Sequence, residues 1–141
     1  MIASHAGSFV KCVCVETHDL ASIEKYVNDK NVDAVVIEEV QFFDEGIIEI
    51  CEKLAGSKKR VICAGLDTDF RGEPFKVMAS LLAKAEFITK LSAVCCVCGA
   101  PATKTQRLIN GKPAKYDDPF ILVGASECYE ARCRRCNKVK K

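Results

Sequence analysis

The sequence predicts a mixed α/β fold in which a parallel sheet is followed by a small cysteine-rich module. Two short, almost continuous apolar runs, over residues 32–37 and 61–66, are typical of strands that are covered on both faces. Segments with apolar residues at helical spacing flank these runs, and strands that alternate with helices favour a parallel sheet. Beyond residue 94 the chain changes to clustered cysteines and a predicted hairpin. We therefore expect a partial α/β core over residues 1–94 and a separate module over residues 95–141.

Each element of the core has a recognisable start or end. Asp19 or Thr17 is suited to cap the first helix, and Asp44 suits the positive end of the second helix dipole. Gly56 suits the end of that helix, and Pro74 lies near the first turn of the third. The predicted order is helix 19–28, strand 32–37, helix 44–55, strand 61–66, helix 74–85 and strand 87–94.

The composition excludes several classes of protein. The chain has 141 residues, of which 49% are hydrophobic and 28% charged, so it can bury a core and is not a disordered or low-complexity protein. It has neither an apolar stretch long enough to cross a bilayer nor a recognisable secretion signal, and we expect a cytoplasmic protein. Residues 1–94 hold 11 basic and 15 acidic residues, whereas residues 95–141 hold 10 and 4, which gives the module a net charge of +6.

The module has few apolar residues, so it needs a stabilising element in addition to its apolar core. We expect a strand over 103–109, a hairpin turn at Asn110-Gly111 and a returning strand over 120–123. Two Cys-x-x-Cys pairs flank this hairpin, and four thiolates at such spacing predict a closed, structural zinc site. The alternative is two unrelated pairs of buried or reactive cysteines, and we expect most of the six other cysteines to be buried apolar residues. The predicted zinc ligands are Cys95, Cys98, Cys133 and Cys136.

Two further segments follow the buried strands, on the sheet edge where α/β folds bind ligands. Glu38 and Glu39 come directly after the first strand, where carboxylates can hold Mg²⁺ or accept a proton from a hydroxyl. The alternative is a solvated strand end. The loop over residues 65–75 follows the second strand, and its Phe70 and Phe75 could stack on a flat base or simply belong to the core.

The order of these segments resembles the zinc-containing cytosolic thymidine kinase family from about residue 4 to the end. Five ordered motifs, the cysteine pairs among them, are far more specific than any one of them. Besides the cysteine pairs, the resemblance lies in Glu38-Glu39-Val40-Gln41-Phe42-Phe43, Ala64-Gly65-Leu66-Asp67 with Phe70-Arg71-Gly72-Glu73-Pro74-Phe75, Thr105-Gln106-Arg107-Leu108, and Gly124-Ala125-Ser126-Glu127-Cys128-Tyr129.

The resemblance implies a P-loop kinase sheet and transfer of the ATP γ-phosphate to the 5′-hydroxyl of thymidine, with Mg²⁺. Glu39 matches the family's catalytic base. Glu38 stands where the family has Asp near Mg²⁺ and the phosphates, and Gln41 lies in the same nucleotide-side stretch. The resemblance also implies a homotetramer. The positions that match those around the thymidine are Phe42, Leu66, Phe70, Phe75, Thr105, Phe120, Ile121, Leu122, Val123, Gly124 and Tyr129.

The sequence contains no G-x-x-x-x-G-K-[ST] phosphate loop, which the resemblance places before its first residues. We therefore expect a truncated family member with little or no kinase activity. Two alternatives remain open: a zinc ribbon with a basic tail that binds nucleic acid, and a non-catalytic relative that assembles with full-length subunits. The aromatic residues of 95–141 are too few and scattered for a nucleic-acid stacking platform, so nucleic acid is the less favoured partner.

Overall fold

The chain has a mixed α/β fold, as the sequence predicts. The computed structural model describes residues 2–3, 9–30, 32–119 and 127–140. The chain divides into two compact units, Met1–Gly65 and Leu66–Lys141. The domain boundary after residue 94 stays a prediction. Within the described ranges, no helix is both long enough and apolar enough to cross a bilayer.

The first unit contains a short parallel sheet and two helices. Its elements are β1 (Ile2–Ala3), β2 (Phe9–Val10), α1 (Leu20–Lys30), β3 (Ala34–Ile37), α2 (Ile47–Gly56) and β4 (Arg60–Cys63). Strands β3 and β4 run parallel, with Val35 opposite Val61, while β1 and β2 form an antiparallel pair. Asp19 caps α1, since its carboxylate accepts hydrogen bonds from the backbone N–H and the hydroxyl of Ser22.

Helix α2 packs through one apolar face. Its buried residues recur at i, i+3, i+4 and i+7, the spacing that places side chains on one side of a helix. Gly46 precedes the helix, and a Cβ there would lie 2.7 Å from Cδ1 of Leu20, so a larger residue would require the Leu20 side chain to move. The buried residues of α2 are Ile47, Ile50, Cys51 and Leu54.

The second unit contains one helix and small antiparallel sheets. Its elements are α3 (Lys76–Lys84), β5 (Ala93–Val94), β6 (Pro101–Ala102), β7 (Lys104–Ile109), β8 (Lys112–Pro113) and β9 (Glu127–Arg132). Strand β7 lies between β8 and β9. The predicted turn is confirmed, because Asn110 and Gly111 join β7 to β8 with φ of 50° and 73°. The chain returns at β8, and the predicted strand 120–123 lies outside the described residues.

The prediction of a strand over residues 87–94 is wrong for most of that segment. Only β5 is a strand, and it pairs with β6 in an antiparallel ladder instead of joining a parallel sheet. Phe87 and Leu91 are 95% and 83% exposed. An apolar run becomes a strand only where a neighbour pairs with its backbone, and residues 87–92 have no such neighbour among the described strands.

Candidate functional site

Four cysteine thiols converge in the second unit, as their spacing predicts. The Sγ atoms, all within 4.8 Å of one another, belong to Cys95, Cys98, Cys133 and Cys136. Four sulfur atoms placed about 2.3 Å from a tetrahedral zinc ion would lie about 3.8 Å apart. The Sγ atoms of Cys98 and Cys133 are 3.7 Å apart, so the cluster has the size and the ligand type of a structural zinc site.

Each Cys-x-x-Cys pair forms a tight turn that is closed by a backbone hydrogen bond to the carbonyl of its first cysteine. In the first turn, Gly99 has a φ of 71° and donates its N–H to the carbonyl of Cys95 over 2.9 Å. In the second turn, the N–H of Asn137 donates to the carbonyl of Cys133, also over 2.9 Å. Both first cysteines are buried in one small apolar cluster with Ala102. The antiparallel strands therefore bring together two turns that are far apart in sequence.

The local backbone favours the thiolate form of part of the sulfur cluster, and a guanidinium lies beside it. Backbone N–H groups, that of Cys133 above all, lower the pKa of the Cys95 thiol to about 6. The neighbouring thiols of Cys98 and Cys133 raise the pKa of Cys136 to about 12. Arg135 contacts Cys98, and this contact raises the pKa of the guanidinium. A basic side chain thus offsets part of the thiolate charge.

The other six cysteines do not follow the prediction. Cys51 is buried and Cys63 half-buried, with their Sγ atoms 3.7 Å apart. Most of the six are on the surface, because a small thiol in a loop or at a strand edge lacks a covering layer. The exposed ones are Cys12, Cys14, Cys96 and Cys128.

The two predicted carboxylates of the first unit directly follow β3. Glu39 has φ and ψ of 53° and 34°, a left-handed conformation that is strained for a residue with a Cβ. Buried Val40 holds this turn by donating its N–H to the carbonyl of Ala64 over 3.1 Å. The side chain of Gln41, itself buried, donates to the Glu39 carboxylate over 2.6 Å. The structure therefore brings Glu39 and Gln41 into contact at the strand end, and the side chains of Glu38 and Glu39 are both exposed.

The loop between residues 66 and 75 is organised by Asp69, which was not predicted from the sequence. Its buried carboxylate accepts the N–H groups of Arg71 and Glu73 over 2.8 and 3.0 Å. Gly72 completes the turn with a φ of 86°. An Asp three residues before a Gly is typical of such side-chain-closed turns, so this local signal could have identified Asp69.

Phe70 lies at the centre of a group of cations and rings. It is only 5% exposed, and the guanidinium carbons of Arg71 and Arg107 lie 5.1 and 4.9 Å from the centre of its ring. Arg71 also lies 5.6 Å from the ring centre of Tyr116. The sequence assigned no role to Arg107 or Tyr116, and no local signal could have done so, because their partners are distant in the chain.

Gln106 ties the last described residues to strand β7. Its buried side-chain amide accepts the N–H of Lys138 over 2.7 Å and donates to the carbonyl of the same residue over 2.8 Å. Two hydrogen bonds to one backbone unit fix its position closely. The chain that follows the second cysteine pair is therefore held beside the strand that follows the first.

The comparison with protein families agrees with these features. The family model described as thymidine kinase matches residues 1–137. The chain belongs to the thymidine kinase family. The four-cysteine cluster fits the zinc-containing type of thymidine kinase, as the sequence resemblance indicated. Membership indicates a kinase of nucleotide metabolism.

The residues that match functional positions of thymidine kinases fall in both units, and their roles stay predictions. In the first unit, Phe42 is 55% exposed beside Glu38, Glu39 and Gln41. The members in the second unit are Leu66, Phe70, Phe75, Thr105 and Tyr129, of which Leu66 and Tyr129 are exposed and Phe70 is buried. Those outside the described residues are Phe120, Ile121, Leu122, Val123 and Gly124.

Proposed function

We propose that this chain belongs to an enzyme that transfers the γ-phosphate of ATP to the 5′-hydroxyl of thymidine. The observation that carries the proposal is the family match, which extends over residues 1–137. The four-cysteine cluster supports it, because a zinc site of this kind fits the zinc-containing members. Within this proposal the parallel strands belong to a P-loop kinase sheet, and the enzyme is a cytoplasmic homotetramer.

Glu39 is the proposed general base. In phosphate transfer to an alcohol, a carboxylate within hydrogen-bond reach of the hydroxyl can accept its proton as the oxygen attacks phosphorus. The Glu39 side chain is exposed at the end of a parallel strand, and Gln41 holds one of its oxygens over 2.6 Å. This contact leaves the other carboxylate oxygen of Glu39 for the substrate hydroxyl. The strained backbone of Glu39 supports a functional role, since such strain concentrates at active sites.

Glu38 is the proposed residue on the side of Mg²⁺ and the phosphates. Mg²⁺ in kinases is held by one or two carboxylates together with substrate phosphates and water. An exposed carboxylate next to the proposed base fits that requirement. When bound, Mg²⁺ would neutralise charge on the ATP phosphates. Because Glu is one methylene longer than the family's Asp, we propose that it places its oxygens farther from the strand end.

The base of thymidine is the proposed ligand of the loop over residues 66–75 and of the zinc module. Aromatic and apolar side chains suit a flat pyrimidine, and the main chain after Pro119 supplies polar contacts in this proposal. Zinc would anchor both ends of the covering loop. The proposed nucleoside contacts are Phe42, Leu66, Phe70, Phe75, Thr105, Tyr129 and residues 120–124.

The first experiment is isothermal titration of the zinc-loaded 141-residue chain with thymidine. We expect one zinc per chain and a dissociation constant below about 1 mM, and no heat of binding with guanosine, which is too large for a pyrimidine pocket. Glu39→Gln is the matched control, because it keeps the size of the side chain and removes a carboxylate that serves the reaction more than binding. Thymidine binding should survive this change. Failure of the zinc-loaded chain to bind thymidine would contradict the proposed nucleoside site.

A coupled assay with ATP, Mg²⁺ and thymidine tests the transfer step. The 141 residues contain no G-x-x-x-x-G-K-[ST] pattern, which normally cradles the phosphates through its backbone N–H groups and its Lys. We therefore expect this polypeptide to bind the nucleoside with little or no turnover. Rapid turnover would show that other residues hold the phosphates. In that case Glu39→Gln should lower kcat by about a hundredfold or more with little change in KM.

A further inference from the structure

Arg107 is a charged residue with no exposed surface, in the middle of strand β7. Burial of a guanidinium is costly unless nearby groups compensate for the lost hydration. The Phe70 ring lies 4.9 Å from the guanidinium carbon, and the Pro119 carbonyl accepts a hydrogen bond from Nη1 over 2.6 Å. Arg107 therefore joins the loop that contains Phe70 to the chain just before residue 120.

A second group of contacts connects the same two segments nearer the surface. The side chain of Arg71 donates to the carbonyl of Asp118 over 3.0 Å and lies against the ring of Tyr116. The hydroxyl of Tyr116 donates to the Glu73 carboxylate over 3.1 Å. Loop 67–75 and segment 114–119 are thus connected by side chains from both directions, and Arg107 and Phe70 are the buried members of this group.

We propose that Arg107 is a positioning residue for nucleoside binding, which fixes the Phe70 ring and segment 114–119 in one arrangement before the ligand arrives. The inference rests on the proposed function, which places Phe70 in the nucleoside site. Arg107 has no surface for a ligand to reach, so it acts through its neighbours. A ring that is already ordered loses little conformational entropy on binding, and such preorganisation increases affinity.

The first test needs no ligand and measures backbone hydrogen exchange in loop 67–75 and segment 114–119 of the zinc-loaded chain. Arg107→Met removes the charge and the donors, and we expect exchange in both segments to become at least about tenfold faster. Arg107→Lys keeps a cation and a donor, and should stay within about threefold of the parent. Arg60→Met, at an exposed arginine of β4, is the matched control and should change neither segment.

Two outcomes of this test would overturn the proposal. The first is unchanged exchange in both segments of Arg107→Met while zinc content stays at one per chain. The second is Arg107→Lys behaving like Arg107→Met, because charge and donor would then not matter. Arg107→Gln, which keeps a donor for Pro119, is measured in parallel in case the Met variant does not fold. If neither the Met nor the Gln variant folds, Arg107 is a structural residue and the positioning role is wrong.

The second test is thymidine affinity in a double-mutant cycle of Arg107→Met with Phe70→Leu. Each change should weaken binding about tenfold, and together they should weaken it far less than a hundredfold, because both remove the same ordered ring. If the losses of thymidine affinity in the two single variants add fully in the double variant, the proposed coupling between Arg107 and Phe70 is wrong. If the parent chain does not bind thymidine, the proposed nucleoside site fails, while the exchange experiment still decides whether Arg107 orders these two segments.

Discussion

The Sγ atoms of Cys98 and Cys133 lie 3.7 Å apart, although they belong to turns at opposite ends of the module. Strand β9 brings these turns together, because it pairs with β7 along six residue pairs from Lys104–Arg132 to Ile109–Glu127. The separation matches the edge of a sulfur tetrahedron around zinc, about 3.8 Å. Metal binding and the pairing of β7 with β9 should therefore be one coupled equilibrium.

Removal of one cysteine ligand should abolish both zinc binding and the folded module. We expect the parent chain to contain one zinc ion, measured by atomic emission, and Cys133→Ser to contain less than about a tenth of that amount. The module has few apolar residues, so its amide protection should disappear with the metal. Cys96→Ser is the matched control, because Cys96 is adjacent to a ligand but exposed and outside the cluster. Full zinc content in Cys133→Ser would contradict the site.

The features predicted correctly from the sequence are those with a local signal. The two Cys-x-x-Cys spacings identified the four-cysteine cluster, and Asn110-Gly111 identified the hairpin turn, because each of these motifs is recognisable within a few consecutive residues. Arg107 could not be assigned a role, since its contacts with Phe70 and Pro119 join parts of the chain that are distant in sequence. The segment 87–92 shows the opposite error. An apolar run was interpreted as a strand, but strand formation depends on a partner that local pattern does not reveal.

The carboxylate of Asp69 should be important for the stability of the second unit. It is buried and accepts two backbone N–H groups, which would be left without a partner in Asp69→Ala. We expect that substitution to lower the free energy of unfolding by about 2–3 kcal/mol, measured by urea denaturation with zinc present. Asp117→Ala, at an exposed aspartate of the same unit, should change it by less than about 0.5 kcal/mol. Equal effects of the two substitutions would show that the loop does not depend on Asp69.

The ion pair between Asp67 and Lys90 should make stability depend on pH in acid. The two side chains are 2.6 Å apart, and the hydrogen bond from Lys90 lowers the pKa of Asp67 below its ordinary value of 3.8. A carboxyl whose pKa is lowered by folding stabilises the protein above its unfolded pKa, and this contribution is lost as pH falls through the folded pKa. Lys90→Met should therefore reduce stability at pH 6, and the reduction should become smaller as pH falls from 6 toward the folded pKa of Asp67.

The size of the Asp67–Lys90 effect should be modest because both side chains are partly exposed. We expect Lys90→Met to lower the free energy of unfolding by less than about 1 kcal/mol at pH 6 and low salt, and by less still in 1 M salt. The measurement is urea denaturation of parent and Lys90→Met across this pH range, with Lys76→Met, at an exposed lysine of α3, as the control. A difference that grows as pH falls would contradict the sign derived from the lowered pKa.

The backbone at Glu39 should cost stability that a glycine would recover. With φ at 53°, Glu39 is in a region where a Cβ costs about 1–2 kcal/mol, and glycine avoids that cost. We expect Glu39→Gly to be more stable than Glu39→Ala by about 1 kcal/mol, because both lose the contact with Gln41 and differ only in the Cβ. At Glu38, which has no positive φ, Gly should instead be less stable than Ala, since glycine is the more flexible residue when unfolded. If urea denaturation ranks the Gly and Ala variants in the same order of stability at both positions, no strain is stored at Glu39. The predicted reversal would mean that the chain keeps an unfavourable backbone conformation at the residue proposed as the general base. The stability that glycine would add at this position is absent because the backbone conformation sets the direction of the Glu39 carboxylate.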